Sequence, residues 1–90
     1  MVQFEIKITG RVQGVGFRYF VQKRAAEFDI TGWVKNTRDG GVLVMAQGEE
    51  QDVEAFADYL HIGSSMGRVN KVEKNKIPDL ENFTDFRIRY

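Results

Sequence analysis

Three glycines and two arginines fall within Gly10-Arg11-Val12-Gln13-Gly14-Val15-Gly16-Phe17-Arg18, between an alternating run and a helical one. Glycine tolerates positive φ, so a turn built on it can gather successive N–H groups around one point. The first turn of the following helix adds N–H groups without intrahelical acceptors, and the positive end of the helix dipole. Such a concavity favours an anion of phosphate size. Arg18 stands at its mouth, where a planar guanidinium can grip two oxygens of one anion. The same spacing also suits a plain strand-to-helix turn with Arg18 in solvent, and spacing alone does not choose. Named nucleotide motifs do not fit: Tyr19 stands where the dinucleotide fingerprint needs its third glycine, and the P-loop's Gly-Lys-Ser/Thr ending is missing.

The loop must be carried by the elements around it. Val2, Phe4, Ile6 and Ile8 alternate with Gln3, Glu5, Lys7 and Thr9, which predicts a strand over 2–9 with one buried face. Phe17, Phe20, Val21, Ala25 and Phe28 recur at helical spacing, so an amphipathic helix should end near Asp29. Ile30 to Arg38 reads as a second strand, and Asp39-Gly40 as the turn of a hairpin. Val42 to Ala46 is apolar on both faces, as a central strand would be. A second helix follows Gly48, with Glu49, Glu50 and Asp52 in or near its first turn, a buried stripe of Val53, Phe56, Ala57 and Leu60, and Gly63 at its end. A fourth strand is expected from about Arg68 to Ile77, and a last one over Phe86 to Tyr90.

That order, βαββαβ with a short C-terminal strand, predicts an α+β fold: a ferredoxin-like sandwich with a mostly antiparallel sheet covered on one face by two helices. Right-handed crossovers put the first strand beside the third in mid-sheet, so the glycine loop should leave a rigid central strand. Residues 1–90 should form a single domain.

Composition narrows the chemistry. Thirteen basic and thirteen acidic side chains cancel, which gives little support to a sequence-independent grip on nucleic acid or an anionic membrane. There is no cysteine and one histidine, His61, so a thiolate nucleophile is excluded and nitrogen- or sulfur-ligated metal is not expected. Early charges argue against a secretory leader and no apolar run is long enough to span a bilayer; the expected location is cytoplasmic.

Two stretches resemble the acylphosphatase family. Ile8 to Arg18 is similar to its first signature and Gly32-Trp33-Val34-Lys35-Asn36-Thr37-Arg38-Asp39-Gly40-Gly41-Val42 to its second, with Gly48 at the expected later position. Length and element order are similar across essentially the whole chain. The third region is looser: Val69-Asn70-Lys71-Val72 only approximates a Val-Asp-x-Val pattern, and the loop before it lacks a common proline. The resemblance implies hydrolysis of acyl phosphates to a carboxylate and inorganic phosphate, without metal or organic cofactor. It implies that loop N–H groups (Gln13, Gly14, Val15, Gly16, Phe17) and Arg18 bind the phosphoryl group, and that Asn36 orients the attacking water. Small-molecule acyl phosphate and inorganic phosphate are then the expected partners, with no nucleic acid, no membrane and a monomeric chain.

The residues agree with that chemistry. A carboxylate leaving group, with a conjugate-acid pKa of about 4 to 5, needs no general acid. Phosphoryl transfer asks chiefly for positioning and for stabilisation of charge on the equatorial oxygens, which a guanidinium and a ring of amides supply. A carboxamide such as that of Asn36 can accept from and donate to one water without adding charge. Secondary expectations are that Thr37 steadies Asn36, that Arg11 and Arg38 are solvated, that His61 is an exposed helix-end residue, and that Trp33 and the phenylalanines are core; the sequence leaves open whether the Tyr90 carboxylate contacts Arg18. Two other classes compete. An RNA-recognition domain shares the element order but would carry aromatics on its third strand, where this chain has Gly41-Val42-Leu43-Val44-Met45-Ala46. A catalytically idle regulatory module would keep the fold without turnover.

Overall fold

The alternation at the start of the chain becomes β1, Val2–Arg11, in the computed structural model, which describes residues 1–90. The strand runs beyond Thr9 because Gly10 and Arg11 still pair with Val69 and Arg68 after a register shift between Thr9 and Gly10. Next come α1 (Phe17–Glu27), β2 (Thr31–Asn36), β3 (Val42–Gly48), α2 (Glu50–Ile62), β4 (Arg68–Ile77) and β5 (Phe86–Arg89). Helix α1 stops short of Asp29, which turns the chain at φ 55°. Strand β2 stops at Asn36 because Thr37 already belongs to the turn, where Gly40 N–H donates to its carbonyl.

The sheet order is β4-β1-β3-β2-β5. β1 lies antiparallel to both β3 and β4, and β2 antiparallel to β3; β5 pairs with β2 in parallel. With β1 and β3 side by side in the interior, the fold is the ferredoxin-like sandwich expected, with one added parallel edge.

Side-chain parity decides what faces the helices. On that face Ile6, Ile8, Val34, Val42, Val44 and Ala46 are buried, against Phe17, Val21 and Ala25 of α1 and Val53, Phe56, Ala57 and Leu60 of α2. Phe17 and Phe56 are the bulkiest, each removing enough apolar surface from water to contribute roughly 1.5–3 kcal/mol. Phe4, Phe20, Phe28 and Phe86 pack around the rim of this core.

Trp33 breaks the expectation. Its parity is opposite to that of Val34, so it lies half-buried on the other sheet face, with Lys35 Nζ 5.4 Å and the Arg89 guanidinium 4.9 Å from its ring centre. Phe83 likewise sits outside the core cluster, in the segment between β4 and β5. That segment also covers Gln3, on the face expected to be open. Gln3 Nε2 donates to Glu81 Oε1 at 3.1 Å, while Gln47 and the Glu81 backbone exchange two bonds of 3.0 Å.

Candidate active site

Between β1 and α1 the chain leaves regular structure for Val12 to Gly16. Gly14 and Gly16 adopt φ 71° and 74°, the left-handed conformation that side chains with a Cβ seldom reach. Val12 and Phe17 are buried and anchor the two flanks of the loop. None of the N–H groups from Gln13 through Tyr19 donates a hydrogen bond within the protein; the first in the helix to do so is Phe20, to Gly16 O. Gly16 provides no side-chain cap, and the first turn of α1 contains no acidic residue. Helix α2, by contrast, carries Glu50 and Asp52 in its first turn. One helix thus supplies its own negative charge, and the other presents an uncompensated positive end.

A pocket of about 250 Å³ lies at that end, lined by Val12, Gly14, Gly16, Phe17, Arg18, Tyr19, Asn36, Ile88 and Tyr90. Strand parity brings the last three there. Asn36 continues the inward row of Gly32 and Val34 on β2, and Tyr90 continues that of Phe86 and Ile88 on β5. Arg18 donates through Nη1 to Arg89 O at 3.0 Å, and its guanidinium stands 4.6 Å from the centre of the Tyr90 ring. The contact made by the end of the chain is therefore through a carbonyl and a ring. No ion pair joins Arg18 to the terminal carboxylate. Asn36 Oδ1 is buried and has no hydrogen-bond partner in the protein. Leaving such an acceptor unpaired costs about 1–3 kcal/mol.

Of the residues singled out for phosphate binding, Gly14, Gly16, Phe17 and Arg18 line this pocket together with Asn36. Gln13 and Val15 do not. The Gln13 side chain turns to the β2–β3 hairpin, and Val15 packs against the core. Val12, Tyr19 and Ile88 enter the lining unannounced by spacing; for Ile88 the signal was the alternation of the last strand. Arg11, Arg38 and His61 are exposed, as expected. A larger cavity, about 670 Å³, lies farther along α1 against residues 84–86; its lining includes neither the glycine loop nor Arg18, and sets Lys23 beside the carboxylates of Asp29 and Asp85. Nowhere do three or more His, Cys, Asp or Glu side chains assemble in a metal-holding cluster.

The Thr37 hydroxyl makes no hydrogen bond to the Asn36 side chain. It donates to Asp39 Oδ1 and accepts from Gly41 N–H at 3.1 Å, while Lys7 Nζ lies 2.9 Å from Asp39 Oδ2. These contacts, led by the Thr37 hydroxyl and then by Lys7 and Gly41 N–H, lower the Asp39 pKa to about 2. A carboxyl with a depressed folded-state pKa stabilises the fold above its unfolded value, and the contribution is lost as pH falls through the folded one. Asp39→Asn should therefore lower the thermal midpoint slightly at pH 6, since exposed ion pairs are weak. The gap from wild type should close between about pH 4 and pH 2, as followed by circular dichroism; a gap independent of pH would contradict the assignment.

A family model described as "Acylphosphatase" matches residues 4–88. The chain belongs to the acylphosphatase family. An acylphosphatase of Bacillus pumilus is 42% identical over 89 residues, covering 99% of both chains. The crystal structure of acylphosphatase from Bacillus subtilis superposes with a TM-score of 0.97 at 41% identity, covering 100% of each chain. The acylphosphatase fold also matches part of a longer protein, full-length HypF in a phosphate- and nucleotide-bound form. There the TM-score is 0.88 at 29% identity, covering 99% of this chain and 12% of that one.

Proposed function

We propose that this chain hydrolyses the carboxyl–phosphate bond of acyl phosphates, releasing a carboxylate and inorganic phosphate, with Arg18 and Asn36 as its catalytic residues. The observation that carries the reading is the unbroken series of undonated amides from Gln13 to Tyr19, beside an arginine and an unpaired carboxamide oxygen on one small pocket. Membership of the acylphosphatase family supports it.

In this reading the loop amides and the Arg18 guanidinium hold the phosphoryl oxygens and stabilise the charge that develops on them. Asn36 Oδ1 accepts a hydrogen from the attacking water and turns its lone pair toward phosphorus. The water oxygen bonds to phosphorus as the bond to the acyl oxygen breaks, and that electron pair leaves on the carboxylate. The water's proton passes to a phosphoryl oxygen of the substrate, so the products are a carboxylate and dihydrogen phosphate. No acid, base or metal is required of the protein, because the leaving group is already stable as an anion at neutral pH. A phosphate monoester, which expels an alkoxide, is correspondingly a poor substrate.

The deciding experiment is turnover of benzoyl phosphate beside an alkyl phosphate monoester such as glycerol phosphate, in the presence of a chelator. Rapid loss of the first, with the second hardly touched, is expected. A chain that binds inorganic phosphate yet leaves benzoyl phosphate intact would instead be an idle module, a possibility raised by the occurrence of this fold within the longer HypF chain.

A further inference from the structure

Gln13 does more than contribute an N–H to the glycine loop. Its Nε2 donates one hydrogen to Thr37 O at 2.7 Å and the other to Gly41 O at 2.8 Å. Those carbonyls sit at the neck of the β2–β3 hairpin, where Thr37 N–H also donates to Gly41 O at 3.0 Å. Thr37 directly follows Asn36, and Asn36 pairs with Val42, the residue after Gly41. The side chain thus spans from the loop bearing the undonated amides to the strand end bearing the unpaired carboxamide. It uses both of its donors, so no single rotation can move it without breaking both bonds.

We propose that the Gln13 side chain is a positioning residue: it sets the separation between the phosphoryl cradle and Asn36, so that the water and the phosphorus meet in line. This rests on the hydrolase reading above. The loop and the hairpin are distant in the chain; the hairpin ends in an exposed turn, Arg38 to Gly40, and in the loop Gly14 and Gly16 are exposed on either side of Val15, which alone of the three packs against the core. Each half has its own anchor: Val12 and Phe17 pin the flanks of the loop, and the Lys7–Asp39–Thr37 contacts close the hairpin. Gln13 registers one half against the other. In-line attack needs reacting atoms about 3–3.5 Å apart, and a misplacement of about 1 Å can cost about 100-fold in rate. Phosphate affinity, which draws on the loop and Arg18 alone, does not depend on that registration.

The test uses the full chain with benzoyl phosphate as substrate and inorganic phosphate as competing ligand. Gln13→Met keeps the length of the side chain and removes both donors. It should lower kcat by about 10- to 100-fold, with KM and the phosphate inhibition constant within about threefold of wild type. Gln13→Glu supplies a second and independent readout. Ionised, its carboxylate opposes two carbonyls and the phosphoryl dianion; protonated, it regains one O–H donor. Its kcat relative to wild type should therefore rise as pH falls, whereas the ratio for Gln13→Met stays flat. A wild-type kcat in Gln13→Met, or a pH-independent ratio for Gln13→Glu, would overturn the inference and leave the hydrolase reading standing. A wild-type chain inert toward benzoyl phosphate would overturn both.

Discussion

Arg18→Gln should lose about 1,000-fold or more in kcat/KM for benzoyl phosphate, and should also bind inorganic phosphate far more weakly than wild type. Arg18 is the one cation lining the pocket, and it acts beside amides that carry only partial charge. Transition-state arginines in phosphoryl transfer contribute about 10³–10⁵ in rate, and a single oxyanion donor about 10²–10³. A neutral amide in the same place keeps two N–H donors but loses the charge and the guanidinium fork. Under the proposed function both kcat and affinity must suffer, because the guanidinium would meet the phosphoryl oxygens in substrate, transition state and product alike. The fold should be little affected. The hydrogen bond to Arg89 O is exposed, so its loss costs much less than a buried one would. Kinetics and phosphate titration of Arg18→Gln check this, and phosphate binding at wild-type strength would remove Arg18 from its role.

Asn36→Ala should separate what Arg18→Gln confounds. Turnover is expected to fall by about 1,000-fold while the inhibition constant for inorganic phosphate stays within about threefold, because the amides and Arg18 remain in place. Under the proposed function what is lost is the orientation of the nucleophile, and water approaching a phosphoryl group at random forfeits the advantage of a prealigned attack. A second measurement should move in the opposite direction. Asn36 Oδ1 is a buried acceptor that makes no hydrogen bond in the protein, so its removal relieves a desolvation cost. The variant should melt at or above the wild-type temperature, in line with the usual conflict between stability and a functional site. Unchanged turnover would end the case for Asn36; a large drop in melting temperature would make it a structural residue.

Most of the fold, and the parts that meet at the candidate site, are legible in the sequence for a physical reason. The glycines of the loop and the apolar spacing of α1 are local signals, and Asn36 lies in step with Val34 along a strand of period two. The order of elements then leaves few right-handed topologies, and the one that forms sets β1 and β3 side by side. Trp33 shows where type misleads and parity does not. A large aromatic suggests a core, yet one step from Val34 puts it on the opposite face among cations. Gln3 fails in the converse way. Parity placed it outward correctly, but the aperiodic stretch around Glu81 folds over that end of the sheet and buries it. The Gln13 bridge and the Lys7–Asp39 ion pair were invisible for the same reason: they join positions far apart in the chain, and no local pattern encodes which distant acceptor a side chain will find.

The bare opening of α1 has a thermodynamic corollary. A helix ordinarily completes its first turn with a capping side chain, and here that position is a glycine without one. Under the proposed function the missing partner is borrowed from solution, so an inorganic product lingering in the loop would act as a removable cap. Its occupancy and the melting point of the chain then belong to one linked equilibrium, growing as RT ln(1 + [L]/Kd). The enzyme would be at its sturdiest when inhibited by its own product, and at its most fragile when free to turn over.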